Sequence, residues 1–368
     1  MKRLIFYNNR HNGDIHLTRE FVKDIMKKTS FDEYYFLHKQ DPKLLMDIPN
    51  LRYGHSNENC FEESPFHVVN NETYINTHMN VYEIFVDFVK DVSLDVFYDY
   101  FQIIFNRLRI SMEKKRFYIP SINYEVYEIN GIKEYIAANK KPTKVLVCNG
   151  NIYSKQSMPV DFKLLIETLS TDYPDIHFIL TEKNGIEKPN VFYTNDIIKC
   201  TTGDLNEISY LSTHCATIIG RSSGPSTYCI VKDNVNDVDK TIISICNLFT
   251  DAFWHDKTLC NKVWINNYDY DNIYNTIKNE LSRLNNYNNI ISVASQDNRI
   301  VMTTSEDIPQ KIRVDFLKGK DMLYTYDGQF TKDIFHWIIP HGHYHTGMEV
   351  KCKFYFDETN QYLFQKIV

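Results

Sequence analysis

The stretch Ile218-Ile219-Gly220-Arg221-Ser222-Ser223-Gly224-Pro225-Ser226-Thr227-Tyr228 decides how the rest of the chain is interpreted. It begins as the end of an apolar strand, turns through small residues, and continues with helical composition. Pro225 suits the first helical turn, where an N–H would have no partner, and Ser222 and Ser223 are candidate N-caps. Together these features predict an anion site, typically for phosphate, to which Arg221 would add a bidentate contact. The alternative is an ordinary strand-to-helix turn.

Apolar strands and amphipathic helices alternate on both sides of this stretch. Strand composition marks residues 144–148, 176–180, 191–193, 216–219, 241–246 and 262–265, and helical periodicity marks residues 161–170, 204–212 and 271–284. Such alternation predicts a parallel sheet with helices on both faces. We therefore expect a doubly wound, Rossmann-like domain over residues 143–289.

The first part of the chain shows the same alternation. Residues 4–8, 33–37 and 51–53 have strand composition, while Leu17, Phe21, Ile25 and Met26 fall on one helical face. This pattern predicts another Rossmann-like domain over residues 1–125, followed by a connector at residues 126–142. Within it, residues 57–80 look irregular, and residues 81–109 suit one long helix or two.

Strand composition dominates the end of the chain. Residues 299–303, 311–316, 322–326 and 350–356 resemble strands, with a turn signal at Asp327-Gly328. These segments predict a small antiparallel β module over residues 290–368, accessory to the two larger domains. The expected fold class is therefore α/β, with two doubly wound Rossmann-like domains and a C-terminal β module.

The overall composition excludes several classes of protein. The 368 residues carry a net charge of −6, which argues against nonspecific nucleic-acid binding. Eight cysteines occur without a CxxC pair, so we expect reduced core thiols and a cytoplasmic location. No stretch is long and uncharged enough to span a bilayer, and the first apolar run is too short for a signal peptide.

Two doubly wound units joined by a connector are similar to the GT-B glycosyltransferase plan. Four segments resemble the heptosyltransferases of glycosyltransferase family 9: residues 9–17 with the pair Gly13-Asp14, residues 145–159, residues 176–182, and Ser222-Ser223-Gly224-Pro225. Two positions differ from that family, since Ser222 stands where it has Asp and Thr227 where it has His. The Arg-Ser-Ser-Gly run also resembles the donor loops of fucosyltransferases.

The resemblance implies a set of site residues. Asp14 is the expected catalytic base, with capping of the first helix as the alternative, and His11 and His16 beside it are expected acceptor contacts. Lys155 is the leading diphosphate cation, or else a solvated surface lysine, and Glu182 would hold the donor's ribose or base, or else be an ordinary strand-end carboxylate. The expected donor contacts are Asn149, Gly150, Lys155, Glu182, Arg221, Ser222, Ser223, Gly224, Pro225 and Ser226.

No metal or cofactor is expected beyond the nucleotide-diphosphate sugar that serves as donor. Asp269-Tyr270-Asp271 resembles a metal-binding motif but precedes a helix, so capping is favoured. His341, His343 and His345 alternate as metal ligands on a strand would, but a polar loop or strand face is favoured.

Three functions remain open at this point. The first is an inverting, metal-independent glycosyltransferase that acts on a glycan or glycoconjugate, with a homodimer as a candidate assembly. The second is a nucleotide-sugar epimerase of similar plan. The third is a non-catalytic carbohydrate-binding or assembly protein, with the β module as its binding part.

Overall fold

The computed structural model describes most of the chain. Side chains are described as far as residue 282, except for those of residues 94–96. The described residues are 1–8, 10–56, 64–78, 94–151, 157–200, 203–221, 223–237, 239–246, 259–286, 290–296, 299–304, 311–318, 321–329, 334–338, 350–356 and 361–367.

The described elements are numbered in chain order. The strands are β1 (Arg3–Asn8), β2 (Glu33–His38), β3 (Leu51–His55), β4 (Phe66–Val69), β5 (Glu72–Asn76), β6 (Thr143–Cys148), β7 (Ile176–Leu180), β8 (Val191–Tyr193), β9 (Thr217–Arg221), β10 (Thr241–Ile245), β11 (Asn261–Ile265), β12 (Ile290–Gln296), β13 (Arg299–Thr304), β14 (Lys311–Lys318), β15 (Asp321–Gln329), β16 (Ile334–Ile338), β17 (Val350–Phe356) and β18 (Gln361–Ile367). The helices are α1 (Asn12–Leu17), α2 (Arg19–Lys28), α3 (Leu94–Leu108), α4 (Asn130–Ala138), α5 (Phe162–Asp172), α6 (Thr194–Ile197), α7 (Leu205–Thr213), α8 (Gly224–Tyr228), α9 (Lys232–Val235) and α10 (Tyr270–Asn286), with 3-10 turns at Pro42–Leu45, Lys115–Tyr118 and Tyr124–Val126.

The first sheet has the strand order β3-β2-β1-β5-β4. Strands β3, β2, β1 and β5 are parallel, as the alternating pattern predicts, and β4 adds an antiparallel edge. The prediction that residues 57–80 are irregular is wrong for residues 66–76. There, β4 and β5 form a hairpin whose turn includes Asn70 at a φ of 50°, a left-handed conformation that asparagine adopts more readily than most residues.

The first helical segment is interrupted where the sequence predicts one helix. Helix α1 ends at Leu17 and α2 begins at Arg19, with Thr18 between them. The Thr18 hydroxyl donates to the Ile15 carbonyl at 2.9 Å, a local bond that competes with continuous helix. The prediction that these residues share one apolar, inward face is confirmed for Leu17, Phe21 and Ile25, which are fully buried.

The second sheet has the strand order β11-β10-β9-β6-β7-β8. Strand β6 pairs in parallel with β7 and β9, and β7 pairs in parallel with β8. Every residue of β9 and β10 is buried, as expected of strands covered on both faces. The α/β class with parallel sheets is therefore confirmed.

The described strands after residue 289 form two antiparallel sheets, β12-β13-β16 and β15-β14-β17-β18. The predicted turn at Asp327-Gly328 is wrong, because both residues lie within β15, opposite Arg313 and Ile312 of β14. Pairing along the whole of β14 outweighs the local turn preference of an Asp-Gly pair. An accessory role for this segment stays a prediction.

The chain divides into two compact units. One comprises Met1–Val235, Ile242–Thr258 and Lys262–Tyr268, and the other comprises Asn236–Thr241, Leu259–Asn261 and Asp269–Val368. The first unit holds the base candidate Asp14 and those expected donor contacts that the structure describes. The domain limits expected at residues 125, 142 and 289 stay predictions.

None of the helices in the described part of the chain combines the length and apolar character that a bilayer span requires.

The first unit has two halves, the first built on β1–β5 and the second on β6–β9 with most of β10 and β11, and a buried ionic network joins them. Arg19 of α2 is fully buried and pairs with the Asp47 carboxylate. The Arg19 guanidinium also donates to the Leu44 carbonyl at 2.6 Å and to Asn206 Oδ1 of α7 at 3.1 Å. Tyr127 donates its hydroxyl proton to Asp47 Oδ1 at 2.9 Å. The guanidinium thus connects the first half to a helix of the second.

A second buried ion pair crosses the same boundary. Lys43 Nζ lies 2.5 Å from Glu207 Oε1, and the Glu207 side chain is fully buried. The backbone N–H of Glu128 also donates to Glu207 Oε1, at 3.2 Å. Because each buried charge depends on its partner, the two halves are held in one relative position at this boundary.

Candidate active site

Asp14 lies in the first turn of α1, directly after the carboxyl end of β1. Its Oδ2 accepts a hydrogen bond from the His11 backbone N–H at 3.2 Å. His11 is the N-cap residue and Asp14 the third helical residue, so Asp14 supports the helix start from inside the helix rather than as its N-cap. The side chain keeps 31% exposure, and burial of the remainder raises the pKa of its carboxyl against the opposing effect of His11 and Arg10. Asp14 therefore stabilises the start of α1 without being its N-cap, and part of its side chain stays exposed.

His78 lies beside Asp14, and the sequence analysis did not identify it. Its Nε2 is 4.0 Å from Asp14 Oδ2, and its backbone N–H donates to Asn76 Oδ1 at 2.9 Å. Burial, with the nearby positive charges of Arg10 and His11, lowers the pKa of His78 to about 4. A neutral imidazole at neutral pH leaves the negative charge of Asp14 uncompensated on that side.

The start of α1 packs against α8, which belongs to the second half. A Cβ at Gly13 would lie 3.2 Å from Cγ2 and Oγ1 of Thr227, so a side chain there would require Thr227 to move by a few tenths of an ångström. Gly220 permits a similar approach, since a Cβ there would lie 2.9 Å from Ser226 Oγ. The Gly13-Asp14 pair and the turn after β9 are thereby brought together.

Asn149 connects the ends of β6 and β7. Its Oδ1 accepts from the Glu182 backbone N–H at 2.8 Å, and its Nδ2 donates to the Glu182 carbonyl at 2.8 Å. The Thr181 hydroxyl adds a third bond to Asn149 Oδ1, at 3.2 Å. Asn149, Gly150 and Glu182 thus lie together at the carboxyl ends of neighbouring parallel strands, where α/β sheets usually bind ligands. The Glu182 side chain is exposed there.

Arg221, the last residue of β9, is directed at backbone carbonyls. Its Nη2 donates to the Gly150 carbonyl at 2.5 Å, and Nη1 lies 3.5 Å from the Met158 carbonyl. The guanidinium lies over the Phe162 ring at 5.4 Å from its centroid, and burial lowers the pKa of Arg221. Arg221 therefore fixes the loop after β6 and carries a positive charge into the same region.

The turn after β9 presents small, largely buried residues. Ser223 is the N-cap of α8, and its Oγ is buried without a hydrogen-bond partner among the described residues. Gly224 and Pro225 are partly exposed, and Ser226 is buried. Helix α8 has five residues, so the N–H groups of the turn contribute more to an anion site than the dipole of so short a helix. Among the described residues this hydroxyl is thus a donor that is free to bind a further group.

The two histidines beside Asp14 differ in position. His11 is exposed. His16 is fully buried, with Nε2 3.2 Å from the Ile230 carbonyl and its ring stacked on Tyr228 at 4.3 Å between centroids. Burial and the charge of Arg19 hold the pKa of His16 well below its usual value. His16 packs α1 against the second half, and no acceptor reaches a side chain enclosed in this way.

Several predicted positions lie outside the described residues, namely Lys155, Ser222, His341, His343 and His345. Capping by Asp269 is confirmed, because its Oδ1 accepts from the Asn272 N–H at 3.1 Å at the start of α10. Among the described side chains, no group of three or more His, Cys, Asp or Glu residues is placed to hold a metal ion.

No protein-family model matches the sequence, and no curated protein does. Solved structures with a similar chain course include a family 9 glycosyl transferase from Veillonella parvula, at 12% identity and a TM-score of 0.44, covering 76% of this chain and 91% of that one. Heptosyltransferase WaaC of E. coli, with ADP-2-deoxy-2-fluoro heptose, matches at 9% identity and a TM-score of 0.45, covering 77% and 99%. E. coli ADP-heptose lps heptosyltransferase II matches at 10% identity and a TM-score of 0.40, covering 77% and 100%. Each of these is a likeness in the course of the chain to a solved glycosyltransferase structure.

Proposed function

We propose that this protein is an inverting, metal-independent glycosyltransferase. It would move a sugar from a nucleotide-diphosphate donor to a hydroxyl of a glycan or glycoconjugate. The observation that carries the proposal is the close packing of Gly13 against Thr227. That packing puts a carboxylate base candidate from one parallel sheet next to the small-residue turn of the other.

Asp14 would act as the general base. The acceptor hydroxyl gives its proton to the Asp14 carboxylate while its oxygen forms a bond to the anomeric carbon of the donor sugar. The bond from that carbon to the diphosphate oxygen breaks, and its electron pair leaves with the nucleoside diphosphate. The raised pKa of Asp14 supports this role, because a base whose pKa lies closer to the working pH transfers protons more effectively.

The departing diphosphate needs positive groups and hydrogen-bond donors. The backbone N–H groups of the turn at residues 223–226 and the Ser223 hydroxyl would supply donors, and Arg221 and Lys155 would supply charge. Ser223 Oγ supports this assignment because it has no other partner among the described residues. Asn149, Gly150 and Glu182 would hold the rest of the nucleotide, and His11 would contact the acceptor.

Substitution of Asp14 separates this proposal from its alternatives. We expect Asp14→Asn to bind nucleotide sugar normally and to release nucleotide about 10²- to 10⁴-fold more slowly in the presence of acceptor, the range for a positioned base. Asp32→Asn is the matched control, since Asp32 is a carboxylate with 61% side-chain exposure in the same half. Wild-type turnover in Asp14→Asn would contradict the assignment, and isomerisation of the nucleotide sugar without acceptor would identify an epimerase.

A further inference from the structure

A cavity of about 590 Å³ lies beside β2 and the first residues of β3, in the first half of the protein. Its volume is within the range of small-molecule sites. No residue of the candidate active site lines it. The lining includes His38, Asp41, Met46, Tyr53, Val126 and Glu128.

Apolar side chains are exposed on the cavity wall. Met46, Tyr53 and Val126 keep 52%, 37% and 42% of their surface accessible. Single exposed apolar residues are ordinary, whereas these three together give the cavity an apolar wall. Tyr53 is also held in place, since its hydroxyl donates to the His38 carbonyl at 3.3 Å and lies 3.0 Å from His55 Nδ1. A fixed aromatic ring suits the apolar face of a flat ligand.

The lining carries two acidic and two basic side chains, and both basic side chains are paired with carboxylates outside the cavity. Asp41 and Glu128 contribute carboxylates, and the Glu128 side chain is exposed. Lys43, a cation of the lining, has its Nζ 2.5 Å from Glu207 and is neutralised there. Arg52 pairs instead with Glu33, and its guanidinium lies 5.8 Å from the Tyr35 ring centroid. This balance disfavours phosphates and acidic sugars, which two carboxylates would repel.

His38 adds a neutral hydrogen-bonding group. Burial lowers its pKa to about 4, so the ring is uncharged at neutral pH. Its Nδ1 accepts from the Gln40 backbone N–H at 3.2 Å, which leaves the ring proton on Nε2 as a donor. The cavity therefore combines carboxylate acceptors, an imidazole donor and an aromatic face.

We propose that this cavity binds an uncharged sugar ring. Sugar hydroxyls would donate to Asp41 and Glu128 in charge-assisted hydrogen bonds, and the apolar face of the ring would lie against Tyr53. The cavity lies beside β2, the strand next to β1 in the parallel sheet, and its lining includes His38, the last residue of β2. Gln40 Nε2 donates to the Arg10 carbonyl at 2.9 Å and so joins the loops after β2 and β1. On the proposed function, the bound ring is a unit of the acceptor next to the one that reacts.

The test is ligand-observed saturation-transfer NMR on the full chain. The neutral probes are methyl glucoside, methyl galactoside and N-acetylglucosamine, and the acidic probe is glucuronic acid. We expect binding of a neutral probe and none of glucuronic acid. Glu128→Gln should weaken binding about tenfold, the effect of losing a hydrogen bond to a charged group, and Tyr53→Ala should abolish it. The matched controls outside the cavity are Glu125→Gln, in an exposed carboxylate, and Phe117→Ala, at a ring with 40% exposure.

Each outcome decides between the two proposals. Neutral-sugar binding that survives both Glu128→Gln and Tyr53→Ala would overturn the subsite, as would preference for glucuronic acid or no sugar binding. Thermal stabilisation by nucleotide sugars, measured on the same samples, reports separately on the proposed function. Sugar binding without nucleotide binding would support the subsite and contradict the proposed transferase function. Nucleotide binding without sugar binding would contradict the subsite and support the proposed function.

Discussion

Removing the Asp47 carboxylate should lower the free energy of unfolding of the protein. Arg19 and Asp47 are both fully buried, so Asp47→Ala leaves a guanidinium in the interior without its carboxylate. The same change removes the acceptor for the Tyr127 hydroxyl at 2.9 Å and for the Asn123 N–H at 3.2 Å. Loss of one partner from a buried pair costs about 3–5 kcal/mol. We expect the free energy of unfolding to fall by that amount.

Urea unfolding followed by circular dichroism measures the effect. The control is Glu134→Ala, which breaks a pair with Lys199 at 3.5 Å in which both side chains are more than 70% exposed; it should cost less than about 1 kcal/mol. The double variant Arg19→Met/Asp47→Leu removes both charges and should recover part of the loss, because apolar residues often replace a buried pair with little cost. A loss below about 1 kcal/mol in Asp47→Ala, or a double variant less stable than the single one, would refute the reasoning.

Further predictions concern metal, pH and the donor loop. Transfer should persist in excess chelator, and loss restored by manganese or magnesium would point instead to Asp269 and Asp271 or to the histidines at 341, 343 and 345. As the pH is lowered, turnover should begin to fall at a pH above about 3.9, the usual pKa of an aspartate, because burial raises the pKa of Asp14. The free energy of unfolding should fall from about pH 6.5 towards pH 4, because His38 and His78 have pKa values of about 4 in the folded protein and take up protons at higher pH once unfolded. His38→Asn should make this fall less steep, as measured by urea midpoints at several pH values. Arg221→Ala should raise the KM for the donor, because it removes the bond to the Gly150 carbonyl, and an unchanged KM would contradict that role.

The positions of several candidate residues followed from local pattern alone. Asn149, Glu182 and Arg221 lie at strand ends, and carboxyl ends of parallel strands meet at one sheet edge whatever the rest of the fold does. Gly13 and Asp14 were found in the same way, from a strand, a turn and a helix start. What each of these residues binds stays a prediction.

Other features depend on contacts between distant segments, which a single sequence does not contain. His78 was missed because the Asn-rich composition around it hid the hairpin of β4 and β5. His16 resembles a site residue in the sequence, and only the packing against Tyr228 shows that it is enclosed. The pairing of Arg19 with Asp47 and Asn206 joins residues from three separate parts of the chain, so no local pattern predicts it.

Thermal unfolding of the wild-type protein with ADP-, GDP- and UDP-sugars tests the central claim most directly. A ligand that binds the folded state at 100 times its Kd stabilises it by about 2.7 kcal/mol. The proposed donor site predicts such stabilisation by at least one nucleotide-diphosphate sugar, and the same stabilisation in Asp14→Asn. An unchanged unfolding temperature with every nucleotide sugar at millimolar concentration would contradict the claim that this protein is a glycosyltransferase.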